Sequence, residues 1–337
     1  MKLDAIIIGS STLDFFVNSL ESKIISENSF VNKKGIAFPL GQKIDGTIFE
    51  TRTGGSCLNV ATTFSNFGYK SHIITIAGKD INRKVILDAI KKTKNIKKAT
   101  VKTDDKKITG FSCIILSNNA ERTIIKNPKG CSSNLRINQK DIKNTKAKII
   151  FSGSLYGKKE NWNTLINYKK ENPKTIWCSN PNSQDLIFLK NNLQILNHID
   201  CFFLNLEEAS ILSNIPYTKE KEVFKFIDKY IKGICIMSNG AKGVVASDNN
   251  YIYRCDAYKH IKLIDTTGAG DALASAFSLM FQKTKDIEYS LKFALANAGN
   301  CIEKIGGNTN LLTPTIFNNR SWKKHFNKLK IKKEKIC

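Results

Sequence analysis

The sequence predicts an α/β fold: a central, mostly parallel sheet with helices on both faces, and a small β-sheet lid beside it. Short apolar runs such as "LDAIIIGS", "AKIIFSG" and "ICIMSNG" recur along the chain, and segments with helical periodicity lie between them. This alternation favours a parallel sheet, in which ligands bind at the carboxyl ends of the strands. Two polar stretches, about residues 15–53 and 107–127, interrupt the alternation with short strand-like runs and are therefore predicted to form the lid.

Length and composition predict one soluble domain. A chain of 337 residues, 41% of them hydrophobic, can bury a sizeable core, and we expect a single α/β domain over residues 1–330 with a basic C-terminal helix or tail at 316–337. No apolar run approaches the roughly 20 residues that span a bilayer, and the N-terminal apolar run is too short for the core of a signal peptide. We therefore expect a cytoplasmic protein with no membrane partner.

The net charge of +24 raises the alternative of a nucleic-acid-binding protein. However, the 53 basic residues include only six arginines, and the 47 lysines are dispersed along the chain. Arginine is the residue expected where bidentate contacts to phosphate or guanine are needed. The charge pattern therefore favours solvated lysines and a small-molecule substrate over a nucleic-acid partner. For the basic C-terminal run we expect a solvated helix face, and the alternative is a binding tail.

The nine cysteines and four histidines predict neither disulfides nor a metal centre. The cysteines are scattered, never occur in C-x-x-C spacing, and in several cases lie within apolar runs. We therefore expect reduced, mostly buried thiols. The histidines have no metal-ligand spacing, and we assign them no role.

One stretch, "KLIDTTGAGDALASAF", predicts a catalytic centre. Gly268, Ala269 and Gly270 lie between an apolar run and a helical pattern, where small residues let backbone N–H groups converge and the helix dipole adds positive charge. This arrangement suits a phosphoryl group in transfer. Asp271 follows directly and is placed to accept a hydroxyl proton as the oxygen attacks, which is the role of a general base. The combination predicts a kinase that acts on an alcohol.

At "DTTGAGD" the chain resembles the ribokinase-like family of carbohydrate kinases, of the phosphofructokinase B type. The resemblance spans nearly the whole chain, because "GGSCLNVATTFSNFG", "NLEEA" and "SNGAKGV" also match family motifs. It implies a ribokinase-like fold and transfer of the γ-phosphate of ATP to a hydroxyl of a sugar or sugar-like molecule. It also implies Mg²⁺, a potassium-like ion in many relatives, and a homodimer formed through the lid.

The same resemblance implies roles for individual residues on the acceptor side. Asp271 matches the catalytic base, and the backbone of Gly268, Ala269 and Gly270 matches the anion hole. The residues that match the substrate-binding positions are Asp14, Gly54, Gly55 and Asn59. For Asp14 the alternative is an aspartate that caps a turn.

On the nucleotide side, Asn205 and Glu208 match the motif that organises Mg²⁺ and its waters, and the alternative is a helix cap. "SNGAKGV" matches the nucleotide loop, and the alternative is a strand-to-hairpin turn. The full set expected to bind the nucleotide is Asn205, Glu208, Ser238, Asn239, Gly240, Gly243 and Asn297. Asp265, Thr267 and Gly306 lie where relatives bind potassium.

The chain departs from the family pattern beside the expected substrate. Asn180 and Asn182 stand in "CSNPNSQ", where many relatives have an aspartate, so a charge is missing there. Leu273 replaces a frequent Phe, which is a plausible core substitution. Arg122 and Lys126 in the expected lid either contact a phosphate on the substrate or are exposed strand charges.

Three alternative functions remain open from the sequence. The nearest is an adenosine or nucleoside kinase of the same family, in which Phe15, Phe16, Phe38 and Phe49 stack a base or, alternatively, form the core of the lid. A non-catalytic, ligand-binding regulatory protein on the same fold is the second. A nucleic-acid binder is the third, and it rests on charge alone. The sequence does not identify the sugar or the hydroxyl.

Overall fold

A computed structural model describes residues 3–18, 21–29, 33–116, 122–127 and 130–336. In chain order, the strands of these ranges are β1 (Ala5–Ile8), β2 (Thr12–Asn18), β3 (Lys23–Ser26), β4 (Lys34–Ala37), β5 (Ile48–Gly54), β6 (Ser71–Gly78), β7 (Ile96–Asp104), β8 (Gly110–Leu116), β9 (Arg122–Lys126), β10 (Ile149–Ser152), β11 (Ile176–Ser179), β12 (Cys201–Asn205), β13 (Ile234–Ser238), β14 (Val244–Ser247), β15 (Tyr251–Cys255) and β16 (Ile331–Lys335). The helices are α1 (Ser56–Asn66), α2 (Ile81–Lys92), α3 (Gln139–Ile142), α4 (Lys159–Glu171), α5 (Ser183–Lys190), α6 (Leu206–Ser213), α7 (Glu220–Ile227), α8 (Ala269–Thr284), α9 (Ile287–Cys301), α10 (Pro314–Asn318) and α11 (Arg320–Lys328).

The main sheet has the strand order β16-β15-β14-β13-β12-β11-β10-β1-β6-β7. Every neighbouring pair from β13 to β7 is parallel, and β14, β15 and β16 are added antiparallel. The predicted mostly parallel sheet is therefore confirmed. The carboxyl ends of the parallel strands lie at one edge of the sheet, where the fold places ligands.

Helices cover both faces of the main sheet, as predicted. Successive residues of β1 point to opposite faces, so Ile7 packs in one apolar cluster and Ile6 in another. The first cluster includes residues of α1, α8 and α9, and the second includes residues of α4 to α7. Burial on both faces explains why these strands read as continuous apolar runs in the sequence.

A separate sheet with the order β5-β2-β8-β9, here called the lid sheet, comes from the two polar stretches predicted to form a lid. Phe16, Ile114 and Leu116 form its buried apolar cluster, and Ile305 of the main body packs against them. β3 and β4 form a further antiparallel pair. β8 and β9 are antiparallel neighbours, while the predicted turn between them falls in residues 117–121, outside the described residues.

The basic C-terminal run forms a helix and then a strand, and the strand was not expected. Trp322 and Phe326 of α11 are buried in the first apolar cluster, so this helix packs on the body through its apolar side. β16 pairs with β15 at the edge of the main sheet. Glu334 of β16 lies within 2.9 Å of Arg254 of β15, an ion pair that joins the two strands.

Each described cysteine is free, and all but Cys113 are buried. None of the helices in the described ranges combines the length and the apolar content that a membrane crossing requires.

Candidate active site

A cavity of about 440 Å³ lies at the carboxyl ends of β11, β12 and β13, where α8 begins and where the lid sheet contributes one side chain. Its volume is in the range of small-molecule sites, about 300–1,000 Å³. It brings together several residues singled out in the sequence: Arg122, Asn180, Asn205, Glu208, Ser238, Gly268, Gly270 and Asp271.

The start of α8 forms the wall of the cavity where an anion would bind. Gly268 has a φ of 76°, and a Cβ atom there would lie 2.3 Å from Cα of Gly307. Only glycine therefore fits the turn that begins the helix. The N–H group of Ala272 donates to the Gly268 carbonyl at 2.8 Å. The amides of Gly270 and Asp271 precede this bond in the first turn, where N–H groups have no intrahelical acceptor.

The carboxylate of Asp271 is held by two amides. Nδ2 of Asn59, on α1, donates to Oδ2 at 2.8 Å, and Nδ2 of Asn180, just after β11, donates to Oδ1 at 3.0 Å. Enclosure by the protein raises the pKa of Asp271, and these two hydrogen bonds lower it. Asn59 therefore orients the predicted base, a contact that the sequence did not suggest.

Asp14 lies buried on β2, in the lid sheet. Burial raises the pKa of its carboxyl to about 6, the negative charge of Asp265 adds to this rise, and the hydroxyls of Ser112 and Thr12 oppose it. Gly54 is required beside it, because a Cβ atom at Gly54 would lie 2.1 Å from Oδ2 of Asp14. A buried carboxylate with few partners is costly in the free protein and suits hydrogen-bond donors of a ligand.

Gly55 starts the helix that carries Asn59. Its φ is 87°, and a Cβ atom would lie 2.5 Å from the carbonyl oxygen of Ser10. This tight approach sets α1 against the loop that follows β1, and Asn59 lies one turn into the helix. Gly54 and Gly55 are thus needed because a side chain at either position would collide with a neighbouring residue.

Asn205 and Glu208 form a capping box at the start of α6. Oδ1 of Asn205 accepts from the Glu208 amide, and Oε2 of Glu208 accepts from the Asn205 amide, both at 2.8 Å. Both residues also line the cavity, and Oε1 of Glu208 has no hydrogen-bond partner within the described residues. Burial raises the pKa of Glu208. These oxygens fit a hydrated Mg²⁺ ion, which keeps most of its waters.

Asp265, Thr267 and Gly306, the expected potassium residues, are neighbours. Oδ1 of Asp265 accepts from the amide of Thr267 at 2.9 Å and from its hydroxyl at 2.7 Å. Oδ2 accepts from the amide of Gly306 at 3.0 Å. The Asp265 carboxylate therefore joins two loops beside the start of α8. Within the described ranges, no three His, Cys, Asp or Glu side chains cluster so that they could hold a metal ion.

Of the other residues predicted to bind the nucleotide, only one lines the cavity. Ser238 lines the cavity, whereas Asn239, Gly240 and Gly243 form the turn between β13 and β14 and do not line it. Asn297 requires a correction, because its side chain is buried and its groups are engaged inside the protein. Its Nδ2 donates to the Ala272 carbonyl and its Oδ1 accepts from the Leu312 amide, each at 2.8 Å. The Asn297 side chain therefore braces α9 against α8 and cannot reach a nucleotide.

The four phenylalanines that could stack a nucleoside base according to the sequence do not line the cavity. Phe16 belongs to the buried cluster of the lid sheet, and Phe15 packs beside Phe49 with a centroid distance of 6.2 Å. Lys126 is exposed and lies outside the cavity lining, whereas Arg122 is part of that lining. Asn182 caps α5 by accepting from the Asp185 amide at 2.9 Å.

Comparison with known proteins agrees with this fold. The model of the "pfkB family carbohydrate kinase" matches residues 30–314. A ribokinase from Haemophilus influenzae is 24% identical over 282 residues, which cover 81% of this chain and 88% of that protein. The structure of ribokinase from Giardia lamblia has a TM-score of 0.74 at 18% identity, covering 94% of this chain and 99% of that one. The structure of Burkholderia thailandensis nucleoside kinase in complex with inosine also has a TM-score of 0.74, at 16% identity and 96% and 98% coverage.

The fold and the family match together define a phosphotransferase of the ribokinase type. The chain belongs to the pfkB family of carbohydrate kinases.

Sequence reasoning missed two features of this site. It read Asn180 as a lost charge, although its position directly after a predicted strand was the signal that it would reach the ligand edge of the sheet. It also did not single out Ser154, which lines the cavity and whose amide donates to the Ser56 hydroxyl at 3.4 Å. Isolated serines carry no signal that distinguishes them from caps.

Proposed function

We propose that the protein transfers the γ-phosphate of ATP to a hydroxyl of a sugar or sugar-like small molecule, with Asp271 as the general base. The observation that supports this most directly is the position of Asp271. Its carboxylate is held by Asn59 and Asn180. Gly268 and Gly270, whose backbone amides lie at the start of α8, line the same cavity. An acceptor hydroxyl beside Asp271 would thus face a phosphoryl group held by those amides.

In the proposed reaction, the acceptor hydroxyl gives its proton to Asp271 as its oxygen bonds to the γ-phosphorus. The bond from that phosphorus to the bridging oxygen breaks, and ADP leaves with the electron pair. The amides of Gly268 and Gly270 would stabilise the charge on the transferring group. Ala269, the third residue of the predicted anion hole, does not line the cavity, and its amide donates to the Thr266 carbonyl at 3.3 Å. Asn205 and Glu208 would hold Mg²⁺ through its waters, and the ion would neutralise phosphate charge when bound. Asp265, Thr267 and Gly306 are the proposed site of a monovalent cation.

The acceptor would lie between the body and the lid sheet, with its other hydroxyls bonded to Asp14. Closure of the lid sheet over the cavity would exclude water and so limit futile hydrolysis of ATP. The exposed apolar side chains of Phe49, Ile124 and Ile125 support a homodimer through the lid. Light scattering on the purified protein would test that assembly.

The test of the base is Asp271→Asn, assayed for ATP consumption with Mg²⁺ and K⁺ across pentoses, hexoses, sugar phosphates, sugar acids and nucleosides. The variant keeps the size of the side chain but loses the proton acceptor, so we expect turnover to fall by about 10²–10⁴-fold while ATP still binds. The control is Asp88→Asn, an exposed position on α2, which should keep wild-type rates. Near-normal turnover by Asp271→Asn would overturn the assignment.

A nucleoside acceptor is the second candidate, because the nucleoside kinase of Burkholderia thailandensis, whose structure holds inosine, has a TM-score of 0.74 to this chain. Competition by adenosine and inosine against the sugar panel separates the two. A regulatory, non-catalytic protein would bind ATP without turnover on any acceptor. We disfavour it because the proposed base, the helix start and the capping box are all intact.

A further inference from the structure

Arg122 is the one described arginine side chain with no hydrogen-bond partner among the described residues. Arg52 and Arg254 pair with glutamates, and Arg83 and Arg136 donate to backbone carbonyls. Arg122 is half-buried, and its Nε atom is shielded from solvent without an acceptor. A shielded donor without an acceptor is unfavourable, so this guanidinium is in an environment that a ligand would complete.

Arg122 also supplies the single positive side chain among the described residues that line the cavity. The other charged side chains of this lining are Asp271 and Glu208. Neither of them forms an ion pair with Arg122 within the described residues. In a chain with 53 basic residues, lysine at the surface is common, but arginine is rare and this one faces inward. A guanidinium is planar, remains charged and binds phosphate or carboxylate through two parallel hydrogen bonds.

The register of the lid sheet places Arg122 and Asp14 on the same face. Leu116 of β8 stands opposite Arg122 of β9 and belongs to the buried inner cluster, so Arg122 also points inward. Asp14 lies in the row opposite Ser112, four residues earlier on β8 than Leu116. Four strand residues span about 13 Å, so the two side chains are well separated along one face of the lid sheet. The lid thus presents a hydrogen-bond acceptor at one end and a cation at the other.

We propose that Arg122 binds a phosphate or carboxylate group on the acceptor, so that the acceptor is a sugar phosphate or a sugar acid and not a neutral sugar. This rests on the proposed kinase function. The transferring phosphate is the other anion that could meet Arg122. That phosphate already has the first-turn amides of α8 and the proposed Mg²⁺ site, whereas Arg122 belongs to the sheet that carries the acceptor residue Asp14.

The experiment compares Arg122→Gln with wild type and with Arg136→Gln, a matched control at an exposed arginine outside the cavity. Binding is read as the rise in thermal midpoint caused by ribose 5-phosphate, fructose 6-phosphate and gluconate, against ribose, fructose and glucose. Steady-state kinetics on the same panel give KM and kcat for each acceptor and KM for ATP. The phosphate and acid arms identify which anion is bound.

We expect an anionic ligand to raise the thermal midpoint of wild type and of Arg136→Gln, and the rise to be lost in Arg122→Gln. KM for that acceptor should rise at least about 10-fold in Arg122→Gln, with kcat and the KM for ATP nearly unchanged. The inference would be overturned if neutral sugars raised the thermal midpoint as much as their anionic counterparts do. It would also be overturned if Arg122→Gln lowered kcat with every acceptor, because that result would assign Arg122 to the transferring phosphate. The thermal readout does not require turnover, so failure of the proposed function, seen as ligand binding without any phosphate transfer, is distinguishable from failure of this inference.

Discussion

At the scale of single residues, the site depends on how one carboxylate is kept both oriented and ionisable. Asp271 receives one hydrogen bond on each oxygen, from Asn59 and from Asn180. Neutral donors stabilise the charged form, whereas a carboxylate at position 180 would oppose it. The departure from the family pattern at Asn180 therefore has a physical consequence for the proposed base.

The corresponding prediction is that Asn180→Asp moves the acidic limb of the kcat pH profile to higher pH. Oδ1 of Asp271 lies 3.0 Å from the side chain that would become a carboxylate, so the pair would share a proton and the base would stay protonated to higher pH. We expect a shift of more than about 1 pH unit, with the largest loss of rate at acidic pH. Asn182→Asp adds the same charge without contacting Asp271 and should shift the limb less. Equal profiles for both variants would show that the contact has no such effect.

At the scale of secondary-structure elements, the start of α8 combines a strained turn with an open face. Gly268 has a positive φ and packs against Gly307, whereas a Cβ atom at Gly270 would meet nothing within 4 Å. The first glycine is therefore needed for folding of the turn, and the second only for the approach of a ligand to the backbone. Adjacent glycines of one motif thus have separable roles.

Two variants separate these roles. Gly268→Ala forces an alanine into the left-handed region and against the Gly307 backbone, so we expect a loss of about 1–3 kcal/mol in the free energy of unfolding. Gly270→Ala should change the free energy of unfolding by less than about 1 kcal/mol, because alanine favours the helix there. It should nevertheless reduce turnover, because its methyl group enters the proposed phosphate site. Urea unfolding and ATP-consumption assays measure both quantities, and similar stability of the two variants would contradict this account.

At the scale of the whole molecule, the burial of the Asp14 carboxyl in the lid sheet makes the stability of the fold depend on pH. The pKa of Asp14 is raised by burial to about 6. The folded protein therefore holds the Asp14 proton more tightly than the unfolded chain does. The protonated carboxyl adds its full contribution to the free energy of unfolding below the unfolded pKa of 3.8, and this contribution is lost as pH rises through about 6. Burial raises the pKa of Asp228 to about 6 as well, so both carboxyls lower stability in the same pH range.

We therefore predict that Asp14→Asn is more stable than wild type at pH 7.5 by about 1–3 kcal/mol, and that the difference disappears near pH 4. The same variant should lose affinity for the acceptor. Urea unfolding at the two pH values measures the first effect and acceptor KM the second, with Asp88→Asn as the control for both. A variant that is less stable than wild type at pH 7.5 would show that the Asp14 charge is compensated in the fold.

The sequence by itself determined the main sheet, the two-sided helix cover, the separate small sheet and the motif at the start of α8. These features come either from a repeating pattern of buried residues or from a glycine required at a turn. Each of these signals lies in residues that are close together in the sequence. Tertiary structure alone decided which side chains meet. Asn59 and Asn180 reach Asp271 from 212 and 91 residues away, Asn297 is enclosed between helices, and β16 completes the sheet edge. Such contacts depend on how distant elements pack, and packing leaves no periodic signal in the chain.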